Sequence, residues 1–176
     1  MLGSFPGCEI RRSMNLGLSE EVMNALLPAQ AGRTAYVLLG NSLRGDDGAG
    51  VFIAENLPAD HDNIIIINAG DSPDSIFYHV LEAHPVKTVI IDAADFNGMP
   101  GEVRTFSHSR LHEAPMSTHR FPLKVVAQLI EEDAGCEVHL VGIQIRCACL
   151  GSPMDACVKK STRAIIDCIL MSMDVT

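Results

Sequence analysis

A chain of 176 residues with 47% hydrophobic content is long enough for one domain with a substantial core. Its net charge of −9, with 13 scattered Lys and Arg residues, argues against a nucleic-acid partner, because neutralising phosphates takes clustered basic side chains. No apolar run approaches the roughly 18–20 residues that cross a bilayer. Residues 1–18 also lack the apolar core of a signal peptide, so a cytoplasmic chain without membrane insertion is expected.

Residues 1–34 read as an N-terminal extension ahead of a single α/β domain over 35–176. Within the extension, Ser19 followed by Glu20, Glu21 and helically spaced apolar residues predicts one short helix through Leu27. Tyr36–Leu39 is a buried strand and Val51–Leu57 a helix. The β-branched run Asn63–Asn68 is a second buried strand, Ser75–Ala83 a second helix of the domain, and Lys87–Asp92 a third strand ending on a carboxylate. This alternation implies a parallel sheet. The turn residues Asn97–Gly101 leave no room for a helix, so Glu102–Phe106 is expected to join the sheet antiparallel. After a His- and Ser-rich loop, a helix opens at Pro122, Glu137–Ile145 is the fifth strand, and a last helix spans Met154–Ser172. The expected fold is a three-layer, twisted, mostly parallel five-stranded sheet flanked by helices, with one antiparallel strand.

The stretch Gly40-Asn41-Ser42-Leu43-Arg44-Gly45-Asp46-Asp47-Gly48-Ala49-Gly50 joins the first strand to its helix. One acid there would serve as a helix cap, and two exceed that need. A phosphate cradle wants N–H groups and a Lys, whereas adjacent carboxylates repel anions, so a cation suits this loop better. In an open parallel sheet, ligands sit outside the carboxyl ends of the strands. Asp92, at the end of the third strand, should therefore face the same crevice as the Gly40–Gly50 loop, although an Asp there also suits a turn.

His119, just ahead of a helix, sits on a loop that could reach the crevice. His79, His84 and His139 read as surface or satisfied core residues, and His108 and His112 would chelate a metal only on a helix that Pro115 disfavours. Two carboxylates and an imidazole make an open N/O ligand set suited to binding or catalysis. The six cysteines are expected as thiols. Cys147 and Cys149, sharing a strand face, could join Cys157 in a structural metal site, but the usual C-x-x-C pairs are missing.

From about Thr34 onward the chain resembles the [NiFe]-hydrogenase maturation endopeptidases, nearest to the type that processes the large subunit of hydrogenase 3 in formate hydrogenlyase. The resemblance rests on Gly40–Gly50, on Ile90–Asp95 with Pro100-Gly101-Glu102, on Ser117-Thr118-His119 with Pro122-Leu123, and on Val141-Gly142-Ile143-Gln144. It implies Asp47, Asp92 and His119 as metal ligands, Asp47 or Asp92 as catalytic base, and Gly40, Asn41, Gly45, Asp46, Gly48 and Gly50 as the structural loop. It further implies removal of a C-terminal peptide from a hydrogenase large-subunit precursor after nickel insertion. The nickel is brought by the substrate; otherwise a divalent ion would occupy the same ligands. The rival readings are a metal-binding module or nickel-handling protein without hydrolysis, and a metal-dependent aminopeptidase or phosphorylase on a similar scaffold. The turn Asn68-Ala69-Gly70-Asp71 departs from the family's usual Asp-Gly-Gly followed by Ser or Thr.

Overall fold

The computed structural model describes residues 16–59, 61–72, 75–106, 116–117 and 123–173. In chain order the elements are α1 (Glu20–Leu26), β1 (Thr34–Leu39), a 3-10 turn (Gly45–Gly48), α2 (Ala49–Glu55), β2 (Ile64–Gly70), α3 (Ile76–Ala83), β3 (Lys87–Asp95), β4 (Val103–Phe106), β5 (Met116–Ser117), α4 (Leu123–Ala134), β6 (Glu137–Gln144) and α5 (Ala156–Met173). The sheet order is β2-β1-β3-β6-β4. β4 runs antiparallel to β6, and the two-residue β5 pairs antiparallel with the end of β3. The mostly parallel α/β sheet expected from the sequence is thus the one observed, with β5 added to it.

Alternation of side chains assigns the two faces of this sheet to two cores. Tyr36, Leu38, Val89, Ile91 and Ile143 point to the face covered by α1, α2 and α5. Val37, Leu39, Ile90 and Leu140 point to the face covered by α3 and α4. All six residues of β1 are buried, which is why that strand reads as an unbroken apolar run.

Helix α1 is anchored on the sheet. Ser19 caps it by accepting the Val22 N–H. Tyr36 donates its hydroxyl to the Leu26 carbonyl at 2.5 Å. The Lys87 ammonium donates to the carbonyls of Asn24 at 3.3 Å and Leu27 at 2.7 Å, satisfying acceptors that the helix end leaves over. Burial pushes the Lys87 ammonium below the usual lysine range, with Glu137 pulling the other way.

Of the element ends that differ from the sequence reading, two bear on the site. β3 continues three residues past Asp92, because Ala93 and Ala94 pair with Ile143 and Gln144 of β6 while Ala94 and Asp95 pair with Ser117 and Met116 of β5. β6 stops at Gln144, so Cys147 and Cys149 lie in the following loop and share no strand face. With the chain curled there, their Cα atoms are 5.4 Å apart and the two sulfurs form a disulfide; among the described residues Cys136, Cys157 and Cys168 are free thiols.

Candidate active site

The glycine-rich loop leaves the carboxyl end of β1 and folds onto itself. Asn41 N–H donates to the Asp47 carbonyl at 3.1 Å, Arg44 N–H to the Asn41 carbonyl at 3.0 Å, and Asp47 N–H to the Arg44 carbonyl at 3.2 Å. The Asn41 side chain accepts the Leu43 N–H at 3.0 Å, closing an Asx turn. Two glycines make this closure possible. Gly40 has φ +151, and a Cβ on it would overlap the Asp47 carbonyl oxygen. A Cβ on Gly50 would overlap the backbone of Leu39.

Neither acid of the pair caps a helix. The N-cap of α2 is Gly48, no side chain caps the 3-10 turn, and both Asp46 and Asp47 lie inside that turn. Asp46 is 1% exposed, and its carboxylate accepts three backbone N–H groups: Arg146 at 2.7 Å, Cys147 at 2.9 Å and Asp155 at 2.6 Å. Its own N–H donates to the Cys147 carbonyl at 3.1 Å, and Gly151 N–H reaches the Leu43 carbonyl at 2.8 Å. The loop between β6 and α5 is therefore strapped to the glycine-rich loop through one buried carboxylate. Arg146 reinforces the strap by donating Nε to Asp155 at 2.6 Å. No sequence signal marked this pairing, since the partners stand about a hundred residues from Asp46.

Asp47 is the second acid of the 3-10 turn. It is 4% exposed, as is Asp92, and the 3-10 turn that carries Asp47 packs directly on β3, which carries Asp92. β1 and β3 are parallel neighbours, so both acids sit at the carboxyl edge of the same strand pair. β5 runs antiparallel to β3, with Ser117 opposite Ala94 and Met116 opposite Asp95. His119, two residues beyond Ser117, lies outside the described residues, as do His108 and His112. Among the described residues, no three His, Cys, Asp or Glu side chains are grouped to hold a metal ion, the Cys147, Cys149 and Cys157 set included.

The other histidines lie elsewhere. His79 and His84 are exposed on α3 and at its left-handed C-cap. His139 pairs with Glu137 at 2.7 Å, in the half of β6 remote from Asp92, and burial pushes its imidazole below the usual range.

Two further residues hold the backbone near the two acids. Asp71 accepts the Asn41 side-chain N–H at 3.3 Å, so the atypical turn after β2 holds the glycine-rich loop through a carboxylate. Gln144 is 4% exposed and fully engaged: Oε1 accepts Phe96 N–H at 2.8 Å and Gly98 N–H at 3.0 Å, while Nε2 donates to Asp95 at 3.1 Å and the Ile145 carbonyl at 2.9 Å. It fixes the chain just beyond Asp92.

Comparison with known proteins decides the family. The profile described as hydrogenase maturation protease matches residues 51–172. This chain belongs to the hydrogenase maturation protease family. It is 37% identical over 108 residues to the hydrogenase 3 maturation protease of Escherichia coli K12, covering 60% of this chain and 69% of that protein. A crystal structure of a hydrogenase 3 maturation protease superposes with a TM-score of 0.69 at 31% identity, over 79% of this chain and 90% of the other. The [NiFe] hydrogenase maturation protease HycI from Thermococcus kodakarensis KOD1 gives a TM-score of 0.76 at 26% identity, over 87% and 98%. The protein is accordingly an endopeptidase of hydrogenase maturation, and no helix among its described residues is long and apolar enough to cross a membrane.

Proposed function

We propose that this protease removes a C-terminal peptide from a [NiFe]-hydrogenase large-subunit precursor once nickel has been inserted, and reads the inserted metal as its recognition signal. The supporting observation is the pair of buried carboxylates, Asp47 and Asp92, at the carboxyl edge of adjacent parallel strands, with β5 paired to the end of β3. Asp47, Asp92 and His119 form a hard-to-borderline oxygen and nitrogen donor set. That set suits the open positions of a nickel ion already held by substrate thiolates. Metal loading then becomes a condition of binding, because an unloaded precursor brings nothing for two buried acids to ligate.

In hydrolysis the substrate's nickel polarises the scissile carbonyl or acidifies a water. Asp47 or Asp92 accepts the proton of that water. The strap through Asp46 and the Asn41–Asp71 contact hold the Asp47 backbone in place, so that the carboxylate meets the metal without a reorganisation cost. Location in the cytoplasm, where precursor and metal-insertion proteins would meet, belongs to the same proposal.

The test is cleavage of a large-subunit precursor from the same source, with and without inserted nickel, read by mass spectrometry of its C-terminus. Loss of a defined C-terminal peptide from the loaded form alone, abolished by Asp47→Ala, supports the proposal. No cleavage of the loaded precursor returns the site to a metal-binding role on a different substrate.

A further inference from the structure

β4 is the outer strand of the sheet next to β6 among the described residues. The Gln144 N–H donates to the Glu102 carbonyl and the Gly101 N–H to the Gln144 carbonyl, each at 2.8 Å, so residues 101 and 102 together oppose Gln144 with their sheet-side groups, as in a β-bulge. Antiparallel pairing alternates, so Arg104 and Phe106 direct their backbone groups at Gly142 and Leu140 of β6, and Val103 and Thr105 direct theirs away from the sheet. Among the described residues nothing pairs with those outward groups.

Beside this edge lies a cavity of about 310 Å³, walled by Val103, Thr105 and Phe106 on one side and by Ser19, Glu21 and Val22 of the α1 region on the other. The Thr105 hydroxyl is buried and has no hydrogen-bond partner among the described residues. Above the cavity Arg104 stands 4.7 Å over the Phe96 ring and donates to Glu102 at 2.6 Å.

The edge is aligned with the crevice. Asp92 pairs with Gly142, and Gly142 pairs with Arg104, so Arg104 sits in the same row as Asp92, two strands away. A strand added outside β4 would lie three strand spacings from β3, about 14 Å, which about four extended residues cover.

We infer that the outer edge of β4 receives the C-terminal tail of the precursor as an added strand, with tail side chains entering the cavity beside Thr105. This inference rests on the protease reading above. Only an extended backbone meets the alternating N–H and C=O groups of Val103 and Thr105, and a peptide about to be cut is presented in that form. A second copy of this chain fits poorly, because antiparallel pairing through so short an edge brings Arg104 beside its own counterpart. The tail emerging from the crevice covers an edge that would otherwise invite unspecific pairing.

The experiment is residue-resolved amide exchange on the full chain, with and without a synthetic peptide of the C-terminal extension of the large subunit from the same organism. The expected signature alternates. Arg104 and Phe106 amides are slow in both states, whereas Val103 and Thr105 amides are fast alone and slow with peptide. Thr105→Pro removes one outward N–H and no sheet bond, and is expected to raise KM for the loaded precursor about tenfold with a smaller effect on kcat. If that variant misfolds, a tail peptide N-methylated along its backbone serves instead, and should fail to protect either amide. Unchanged exchange at Val103 and Thr105 overturns the inference even if the wild type cleaves its precursor. Protection that appears without peptide at high protein concentration overturns it in favour of self-pairing. Absence of cleavage alongside protected amides counts against the protease reading and leaves the docking edge standing.

Discussion

Cys147 holds Asp46 through both of its backbone polar groups: its N–H donates to the Asp46 carboxylate at 2.9 Å, and its carbonyl accepts the Asp46 N–H at 3.1 Å. With Arg146 and Asp155 adding two further N–H donors, one carboxylate organises the whole loop between β6 and α5. Adjacent acids in one turn therefore differ: Asp46 holds the strap, whereas Asp47 sits beside β3 at the carboxyl edge it shares with Asp92 and is the one proposed for the chemistry.

That division predicts opposite mutational behaviour. Asp46→Ala leaves three N–H groups without their acceptor and should cost on the order of 3 kcal/mol, with Asp46→Asn costing about 1 kcal/mol. Asp47→Asn should leave the melting temperature near that of the wild type while lowering precursor cleavage by about a hundredfold or more. Thermal melts and single-turnover cleavage on the same preparations check both, and equal melting temperatures for Asp46→Ala and Asp47→Asn would refute the division.

Gly50→Ala sets a Cβ into the backbone of Leu39, and β1 cannot retreat because β2 and β3 flank it. We expect a loss of several kcal/mol, on the scale of severe overpacking. Soluble yield and urea midpoint measure it; a wild-type midpoint would mean the loop has room that the structure denies.

The anchoring of α1 is testable at Leu26, which is fully buried in the core that also contains Tyr36 and Ile165. Leu26→Ala should cost about 3 kcal/mol, and Tyr36→Phe about 1 kcal/mol through the lost hydroxyl bond to the Leu26 carbonyl. Chemical denaturation of both variants is the measurement. A free-standing extension would show neither loss.

Acid should loosen the strap through Asp155. The Cys157 N–H and then the Arg146 guanidinium hold its carboxyl below the ordinary value of 3.8. A depressed folded-state pKa contributes stability that is complete above the unfolded value and fades as pH falls through the lower folded one. The melting temperature of Asp155→Asn should therefore lie below that of the wild type at neutral pH, and the gap should close as pH drops beneath 3.8. A constant gap would place the effect in packing.

Thiol chemistry separates the free cysteines. Cys157 is exposed, whereas Cys168 is buried and its thiol is pushed up to about 11. Iodoacetamide at pH 8 should alkylate Cys157 in the folded protein and reach Cys168 only after denaturation. Peptide mapping by mass spectrometry reads this directly.

Local pattern carried much of this protein. The unbroken runs Tyr36–Leu39 and Lys87–Asp92 marked strands buried on both faces, whereas the equally apolar Asn63–Asn68 forms the outer strand β2, where Ile65, Ile66 and Ile67 stay half-buried and Asn68 is exposed. The alternation of these runs with helices determined a mostly parallel sheet, because period and length depend only on neighbouring residues. Placement of Asp47 and Asp92 at one edge followed, since loops at the carboxyl ends of parallel strands share a side. What pairs across long separations was decided by tertiary structure alone. The Asp46 strap joins residues about a hundred positions apart, β5 is a two-residue strand defined only by its partner β3, and the extension of β3 to Asp95 depends on Gln144 and Ser117. Hydrogen bonds of this kind have no local periodicity. They exist only once the sheet has brought their donors and acceptors together.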